Sequence, residues 1–197
     1  MLKYTLKEED LSKKGSFVGQ FFKDKREVGA ISPSSRMLGK KICSFIDFEK
    51  APVIIELGPG NGVFTKVLLE KMRPDAKLYA FETNEVFCDK IKDRISDDRL
   101  TLINDSAEKI GEYMKKENIE GVNFIVSSLP YTVFPEKLKN DILDECLDIL
   151  NDKGLYLQFQ YTLNANKLLK KKFSNVKYSF GLLNLPPAFV YRCTINK

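Results

Sequence analysis

The chain has 197 residues, of which 43% are hydrophobic and 30% are charged, a composition typical of one globular domain with its own core. No apolar run approaches the roughly 18–20 residues that span a bilayer, and no signal peptide opens the sequence, so a cytoplasmic protein is expected. The sequence has no histidine, and its four cysteines are scattered, so neither a metal site nor a disulfide framework is expected.

The net charge of +5 is unevenly distributed along the chain. Residues 1–50 carry 11 basic and 7 acidic side chains, residues 51–150 carry 13 and 19, and residues 151–197 carry 8 and 1. The middle of the chain is therefore acidic, whereas both ends are basic. Basic ends predict an anionic partner, either a membrane surface or a nucleic acid.

Residues 5–28 have the spacing of a basic amphipathic helix, or of two half-helices broken near Gly15. Lys14 and Lys25 fall on the apolar side, where their aliphatic stems can lie along apolar surface while the ammonium groups reach outward. Such a helix can lie in a bilayer interface, or its apolar side can pack on the protein's own core. Both interpretations remain open at this point.

A turn follows at residues 29–36 and leads into a second helix that is expected to run to about Phe48. Ser34 or Ser35 is the predicted N-cap of this helix. The same loop at a helix N-terminus could instead bind the carboxylate of a ligand.

Residues 53–57 are a β-branched and apolar run that predicts a short buried strand, and a glycine-rich turn follows it directly. Gly58, Gly60 and Gly62 have the spacing Gly-x-Gly-x-Gly, and the spacing of a helix comes next. This arrangement brings backbone N–H groups close to a ligand, because glycine has no Cβ. The spacing differs from those of dinucleotide and phosphate loops, and Glu56 would repel a polyphosphate, so a cationic ligand is predicted.

The run Glu-Leu-Gly-Pro-Gly-Asn-Gly resembles the first motif of class I methyltransferases that use S-adenosylmethionine. A second strand at 77–81 leads into Glu82, about 20 residues on, where a carboxylate can take both hydroxyls of a ribose. A third strand at 100–103 ends at Asp105 and Ser106, in a run that resembles the motif that meets the adenine amine. The resemblance implies S-adenosylmethionine as the cofactor. The alternative is a Rossmann-like domain without a nucleotide.

The predicted fourth strand, 122–126, runs into Ser127-Ser128-Leu129-Pro130-Tyr131, which stands at the catalytic position of the class I fold. The resemblance implies a cofactor contact for Ser127, and for Ser34 and Ser35 if their loop closes over the methionine carboxylate.

The alternating strands and helices predict an α/β fold, in detail a Rossmann-like class I methyltransferase fold. Its sheet is expected to have seven mostly parallel strands and a C-terminal antiparallel hairpin, with helices added at the N-terminus. Residues 1–50 are interpreted as basic helices that pack on or cap the domain, and residues 51–197 as the cofactor-binding domain. The remaining predicted elements are helices at 84–95, 107–116 and 135–150, a strand at 154–161 and hairpin strands at 173–183 and 188–195.

Two families compete for the acceptor. Ser-Leu-Pro-Tyr resembles Asn-Leu-Pro-Tyr of the ribosomal RNA adenine dimethyltransferases, but Ser128 replaces an asparagine, and a hydroxyl is a poor substitute for a carboxamide that accepts from an adenine amine. Motifs across residues 20–192, nearly the whole chain, look like those of the bacterial phospholipid N-methyltransferases. That resemblance implies phosphatidylethanolamine as the acceptor, methylated toward phosphatidylcholine. The alternatives are an RNA adenine N6-methyltransferase and a non-catalytic lipid- or protein-binding module.

The expected catalytic residues are Ser128 and Tyr131, with Tyr131 orienting the acceptor amine unless its ring packs inward. Arg192 is expected to pair with the lipid phosphate, or to be an ordinary exposed strand residue. The expected partners are the phospholipid and an anionic membrane surface, reached through the N-terminal helix. Nucleic acid and metal are not expected, and the chain is predicted to be a monomer attached peripherally to the inner face of the membrane.

Overall fold

The computed structural model describes residues 33–181 and 188–195. The amphipathic helix predicted at residues 5–28 and the hairpin turn predicted at residues 184–187 lie outside the described residues.

The described residues form seven strands in a single sheet. Their bounds are β1 (Val53–Leu57), β2 (Lys77–Phe81), β3 (Leu100–Ile103), β4 (Val122–Ser127), β5 (Leu150–Gln160), β6 (Asn175–Gly181) and β7 (Ala188–Thr194). The strand order is β3-β2-β1-β4-β5-β7-β6, and β7 runs antiparallel to both of its neighbours while the other pairs are parallel. The predicted mostly parallel sheet with a C-terminal antiparallel hairpin is therefore confirmed.

The three central parallel strands end in register at one edge of the sheet. Leu57 of β1 lies between Phe81 of β2 and Ser127 of β4. Parallel strands buried on both faces read as continuous apolar runs, which is why they were recognisable in the sequence. The residues that follow them meet at this edge, where α/β sheets of this kind bind their ligands. We call it the carboxyl edge.

Helices cover both faces of the sheet. Within the described residues they are α1 (Pro33–Cys43), α2 (Val63–Leu69), α3 (Glu85–Arg94), α4 (Ile110–Lys116), α5 (Glu136–Ile149) and α6 (Asn166–Lys172). Buried side chains of α1 and α2 form one core with the sheet, and those of α4, α5 and α6 form a second core on the opposite face. In the described part of the chain, no helix is both long enough and apolar enough to cross a bilayer.

Helix α1 differs from its prediction at both ends. It begins at Pro33, so Ser34 and Ser35 lie in its first turn rather than at the N-cap. Proline suits the first helical position because its fixed φ is already helical and its missing N–H would have no partner there. The helix ends at Cys43, earlier than predicted, and the chain then turns to bury Ile46 in the same core.

Two elements near the C-terminus were also mispredicted. Helix α6 was missed because only two of its seven residues are apolar and four are lysines, so it has little helical periodicity. Strand β5 begins at Leu150 instead of residue 154, and its register with β4 shifts between Val122 and Phe124. The irregular pairing accommodates Asn151 and its exposed polar neighbours, which fall between the predicted helix and the predicted strand.

Candidate active site

The glycine turn after β1 has left-handed backbone geometry at each of its three glycines. The φ angles are +68° at Gly58, +57° at Gly60 and +75° at Gly62. The Gly58 amide donates to the carbonyl of Phe81 at 2.9 Å, so the turn is fastened to the end of β2. A Cβ at Gly60 would have no heavy atom within 4 Å, and this position therefore faces open space at the carboxyl edge.

Substituting alanine for Gly60 tests whether the glycine turn contacts the ligand, because the effect on cofactor affinity can be measured apart from the effect of backbone strain on stability. We expect Gly60→Ala to cost about 1–2 kcal/mol of folding stability from the left-handed backbone and to reduce cofactor affinity more than tenfold, because the new methyl group enters the ligand space. The matched control is Gly62→Ala, which has the same strain but whose Cβ meets Ile91 and Ile95 at 3.1 Å instead of open space. Calorimetric titration and thermal unfolding measure both effects. Equal affinity in the two variants would remove the turn from the ligand site.

Glu82 follows β2 and holds the glycine turn in place. Only 2% of its surface is exposed. Its Oε2 accepts a hydrogen bond from the Gly60 amide at 3.0 Å, and its Oε1 accepts one from the Asn84 amide at 2.9 Å. The predicted ribose-binding carboxylate therefore lies at the carboxyl edge beside the turn.

Asp105 lies one strand further along the same edge. Its carboxylate accepts from the Ser106 amide at 2.7 Å and from the Tyr113 hydroxyl at 3.1 Å, and it pairs with Lys109 at 2.9 Å. The hydrogen bond from Lys109 is the main reason that the pKa of Asp105 is lowered, so the group stays ionised. An ionised acceptor at this position suits an amino group.

Ser106 has a structural partner for its hydroxyl. Its Oγ accepts from the Glu108 amide at 3.3 Å and lies 2.9 Å from a carboxylate oxygen of Glu108, so Ser106 is the N-cap of the 3₁₀ turn Ala107–Lys109. Capping explains a serine here without a ligand. The cofactor contact of Ser106 stays a prediction.

Glu56 is the most unusual group in the site. It is fully buried on the side of the sheet covered by α1 and α2, and neither carboxyl oxygen has a hydrogen-bond partner. Burial raises the pKa of Glu56 to about 8, the nearby Thr65 opposes part of that rise, and the charge of Glu82 adds to it. An unpaired buried carboxyl is costly, so a cationic group placed beside it would be stabilised.

The raised pKa makes folding stability depend on pH. Because the folded state holds the Glu56 proton more tightly than the unfolded state, stability falls as pH rises from about 4.5 to about 8. Glu56→Gln removes this loss, so we expect a change in Tm near zero at about pH 5 and a gain of about 5–10 °C at about pH 8.5. Thermal unfolding of the ligand-free variants at both pH values measures the effect. An equal gain at both values would contradict the assignment.

The loop after β4 is held to the rest of the carboxyl edge through its backbone. The amide of Ser128 donates to the carbonyl of Leu57 at 2.9 Å, and the amide of Leu129 donates to Oγ of the buried Ser127 at 3.3 Å. The carbonyl of Leu129 accepts a backbone hydrogen bond from the Tyr131 amide at 3.0 Å. It also accepts two side-chain hydrogen bonds, from the amides of Gln158 at 3.1 Å and Gln160 at 2.8 Å. We call Gln158 and Gln160 the glutamine clamp.

The glutamine clamp was not predicted from the sequence. Its signal was present, since two polar residues at positions i and i+2 in an apolar strand place two amides on one face. The clamp matters because the Leu129 side chain also packs on Gly58: a Cβ at Gly58 would lie 2.9 Å from Leu129 Cδ2. The loop after β4 and the glycine turn are thus positioned against each other.

The structure corrects the position predicted for Tyr131. Its ring is 1% exposed and packs into the core, and its hydroxyl lies 2.8 Å from that of Tyr156, which donates to Gln158 at 2.7 Å. Burial raises the pKa of both tyrosines well above the usual range. Tyr131 therefore supports the loop from inside instead of facing an acceptor. Ser128 is half-buried at the edge, where its predicted role stays open.

Arg192 also requires a correction. It pairs with Leu157 in the antiparallel register of β5 and β7, below the carboxyl edge. Its guanidinium carbon lies 4.6 Å from the centre of the Phe45 ring, and its Nε is buried without a partner. It is therefore a half-buried strand residue that lies over Phe45, and its predicted contact with a lipid phosphate stays a prediction. The side chains of Ser34 and Ser35 lie outside the described part of the structure.

Residues 22–179 match the family described as ribosomal RNA adenine dimethylase. The chain is 28% identical over 179 residues to an ornithine lipid N-methyltransferase of Singulisphaera acidiphila, which covers 90% of this chain and 93% of the relative. It is 32% identical over 120 residues to ribosomal RNA small subunit methyltransferase A of Mesoplasma florum, which covers 58% of this chain and 43% of that protein. Among solved structures, a precorrin-6y C5,15-methyltransferase from Geobacter metallireducens aligns with a TM-score of 0.65 at 13% identity, over 81% of this chain and 87% of that one, a likeness in fold.

The described residues fit S-adenosylmethionine at the carboxyl edge. Gly60 leaves open space beside a turn whose backbone is exposed to a ligand, and Glu82 stands next to it with a carboxylate suited to ribose hydroxyls. Asp105 is ionised one strand away. The unpaired carboxyl of Glu56 suits a ligand that carries positive charge.

Proposed function

This chain belongs to the ribosomal RNA adenine dimethylase family and is an S-adenosylmethionine-dependent methyltransferase, and from this premise we propose that it methylates the amine of a membrane-lipid headgroup. Phosphatidylethanolamine is the acceptor implied by the sequence motifs. Ornithine lipid is the second candidate, because a relative aligned over nearly its whole length carries that name. Both lipids offer a primary aliphatic amine.

The inward position of Tyr131 is the observation that carries this proposal. A flipped adenine is usually held by stacking on an aromatic ring and by hydrogen bonds along its edge. Tyr131 offers no ring face because it is 1% exposed, and Ser128 offers a hydroxyl in place of a carboxamide. An aliphatic amine needs neither, since its lone pair is nucleophilic once the proton is gone.

The main contribution of the protein to the reaction is to align the acceptor amine with the methyl group. When bound, S-adenosylmethionine supplies a methyl group already activated on a sulfonium. The glutamine clamp and the Ser128 amide hold the loop after β4 against the glycine turn, which positions an acceptor amine at the carboxyl edge. An amine with a pKa near that of lysine must first become neutral, which costs about 4 kcal/mol at pH 7. Tyr131 does not serve as the base for that step, because burial raises its pKa and keeps its hydroxyl protonated.

This leads to a prediction for the pH dependence of the rate. With saturating cofactor, we expect the rate at low lipid concentration to rise close to tenfold per pH unit between about pH 7 and pH 9, following the neutral fraction of the amine. Initial rates in mixed micelles at constant ionic strength measure this profile. A flat profile would mean that a group of the protein removes the proton before methyl transfer.

Transfer of a labelled methyl group tests the proposed acceptor directly. The protein is incubated with methyl-labelled S-adenosylmethionine and, separately, with phosphatidylethanolamine, ornithine lipid or ribosomal RNA. Label in either lipid extract supports the proposal and distinguishes its two sources. Label in RNA supports the adenine alternative, and no transfer in any arm supports a binding module. Both latter outcomes overturn the proposal.

We further propose that the protein acts as a monomer bound to the inner face of the membrane through residues 5–28. Membrane binding is supported by the pattern of these residues, in which apolar side chains share one side of a helix that is rich in lysine. Removing residues 1–27 should reduce co-flotation with anionic vesicles. Unchanged flotation would remove the N-terminal helix from the membrane contact.

A further inference from the structure

The outer strand β6 leaves large apolar side chains uncovered. Tyr178 is 49% exposed and Phe180 is 46% exposed. Their rings lie 6.2 Å and 5.0 Å from that of Phe189 on β7, so they extend the face that forms the core with α5 and α6 beyond the helices that cover it. Leu163, 41% exposed, belongs to the 3₁₀ turn after β5. We call Leu163, Tyr178 and Phe180 the apolar edge.

Leu163 and the two rings are linked through Tyr191. The Tyr191 hydroxyl donates to the carbonyl of Thr162 at 3.4 Å, and its ring lies 5.8 Å from that of Tyr178. Leu163 directly follows Thr162, so its segment of chain is held near the two rings through Tyr191. Contiguous exposed apolar side chains on a globular protein mark an interaction site more often than isolated ones do.

The part of the sequence that contains the apolar edge is basic. No aspartate or glutamate occurs after Asp152 in the sequence. On α6, Lys167 and Lys170 are exposed and have no ion pair within the described residues, whereas Lys172 is neutralised by Asp144 at 2.6 Å. Exposed tyrosine and phenylalanine with unpaired lysines are suited to a bilayer interface, where anionic headgroups cover an apolar interior.

The apolar edge also lies at the active end of the sheet. Phe180 pairs with Phe189 across β6 and β7, and Phe189 pairs with Gln160 across β7 and β5. Gln160 in turn binds the carbonyl of Leu129 at 2.8 Å. A bilayer seated on the apolar edge would present its headgroups beside the loop that follows β4.

We propose that the apolar edge, with Lys167 and Lys170, is a docking surface for an anionic lipid bilayer, separate from the N-terminal helix. The inference rests on the proposed function, since it explains how a lipid amine reaches the carboxyl edge. A second copy of the chain is a less suitable occupant, because two such surfaces would bring their unpaired lysines together.

Flotation of the full chain with vesicles of phosphatidylethanolamine and phosphatidylglycerol tests the proposal. We expect Tyr178→Ser/Phe180→Ser to lower vesicle binding at least about tenfold, and Lys167→Glu/Lys170→Glu to do so only when phosphatidylglycerol is present. The matched controls are Val86→Ser, which removes an equally exposed apolar side chain from α3, and Lys66→Glu/Lys115→Glu, which makes the same charge change elsewhere. Both controls should bind as the unchanged protein does.

Two further measurements make each outcome decisive. Activity on lipid dispersed in detergent micelles should be unchanged in the docking variants, because no bilayer has to be reached. Normal vesicle binding by the Tyr178/Phe180 variant would overturn the docking surface even if lipid is methylated. A dimer that this variant converts to a monomer would assign the edge to contacts between copies. Absence of lipid methylation by the unchanged protein, in micelles and vesicles alike, would instead overturn the proposed function.

Discussion

Replacing Glu82 with alanine is expected to reduce the affinity for S-adenosylmethionine at least about 100-fold while the chain still folds. Two losses combine. The variant lacks the carboxylate that suits the ribose hydroxyls. It also lacks the oxygen that accepts a hydrogen bond from the Gly60 amide at 3.0 Å, so the glycine turn is no longer held to the end of β2 by this bond. Hydrogen bonds to a charged group contribute about 1.5–3 kcal/mol each, which accounts for the size of the effect.

Calorimetric titration measures this affinity, with Glu85→Ala as the control. Glu85 is exposed three residues further along the same segment, so its removal changes the charge equally without touching the turn. A second readout comes from Glu56, whose pKa the charge of Glu82 raises. Without the negative charge of Glu82, the pKa of Glu56 should be lower. The loss of stability that depends on Glu56 should then end at a lower pH and be smaller at high pH. Unchanged affinity would mean that the ribose site lies elsewhere.

The second large effect is expected from the glutamine clamp. Gln158→Leu/Gln160→Leu removes both side-chain hydrogen bonds to the carbonyl of Leu129 and leaves it only the backbone amide of Tyr131. The loop after β4 is then free to shift against the glycine turn. Because small displacements of a reacting group are costly in rate, we expect kcat to fall roughly 10- to 100-fold while cofactor affinity stays within about threefold.

Asn151→Ala is the matched control for the clamp. It removes one side-chain hydrogen bond, 2.6 Å long, from Asn151 to Asn123 at the opposite end of β5. Its kcat should equal that of the unchanged protein. A clamp variant with normal kcat would show that the loop holds its position without these amides, whereas equal losses of kcat and cofactor affinity would indicate general unfolding of the carboxyl edge.

The strand ends of the site were predictable because one rule of geometry governs them. Parallel strands share a direction, so Glu82 and the glycine turn had to meet at one edge once β1 and β2 were recognised by their apolar runs. Helix α6 was not predicted, because its lysines leave little periodic apolar signal. The alternation of Gln158 and Gln160 with apolar residues was visible in the sequence. Their shared partner, the carbonyl of Leu129, was not.

By itself, the sequence determined the α/β class, the order of the strands along the chain and the residues that stand at the carboxyl edge. It did so because apolar periodicity and glycine spacing are local properties. The directions of Tyr131 and Arg192 were decided only by the tertiary structure. Tyr131 turns inward because Tyr156 on β5 offers its hydroxyl a buried partner, and Arg192 lies over Phe45 because of the antiparallel register of β7. Such contacts join residues far apart in the chain, and no local pattern records them.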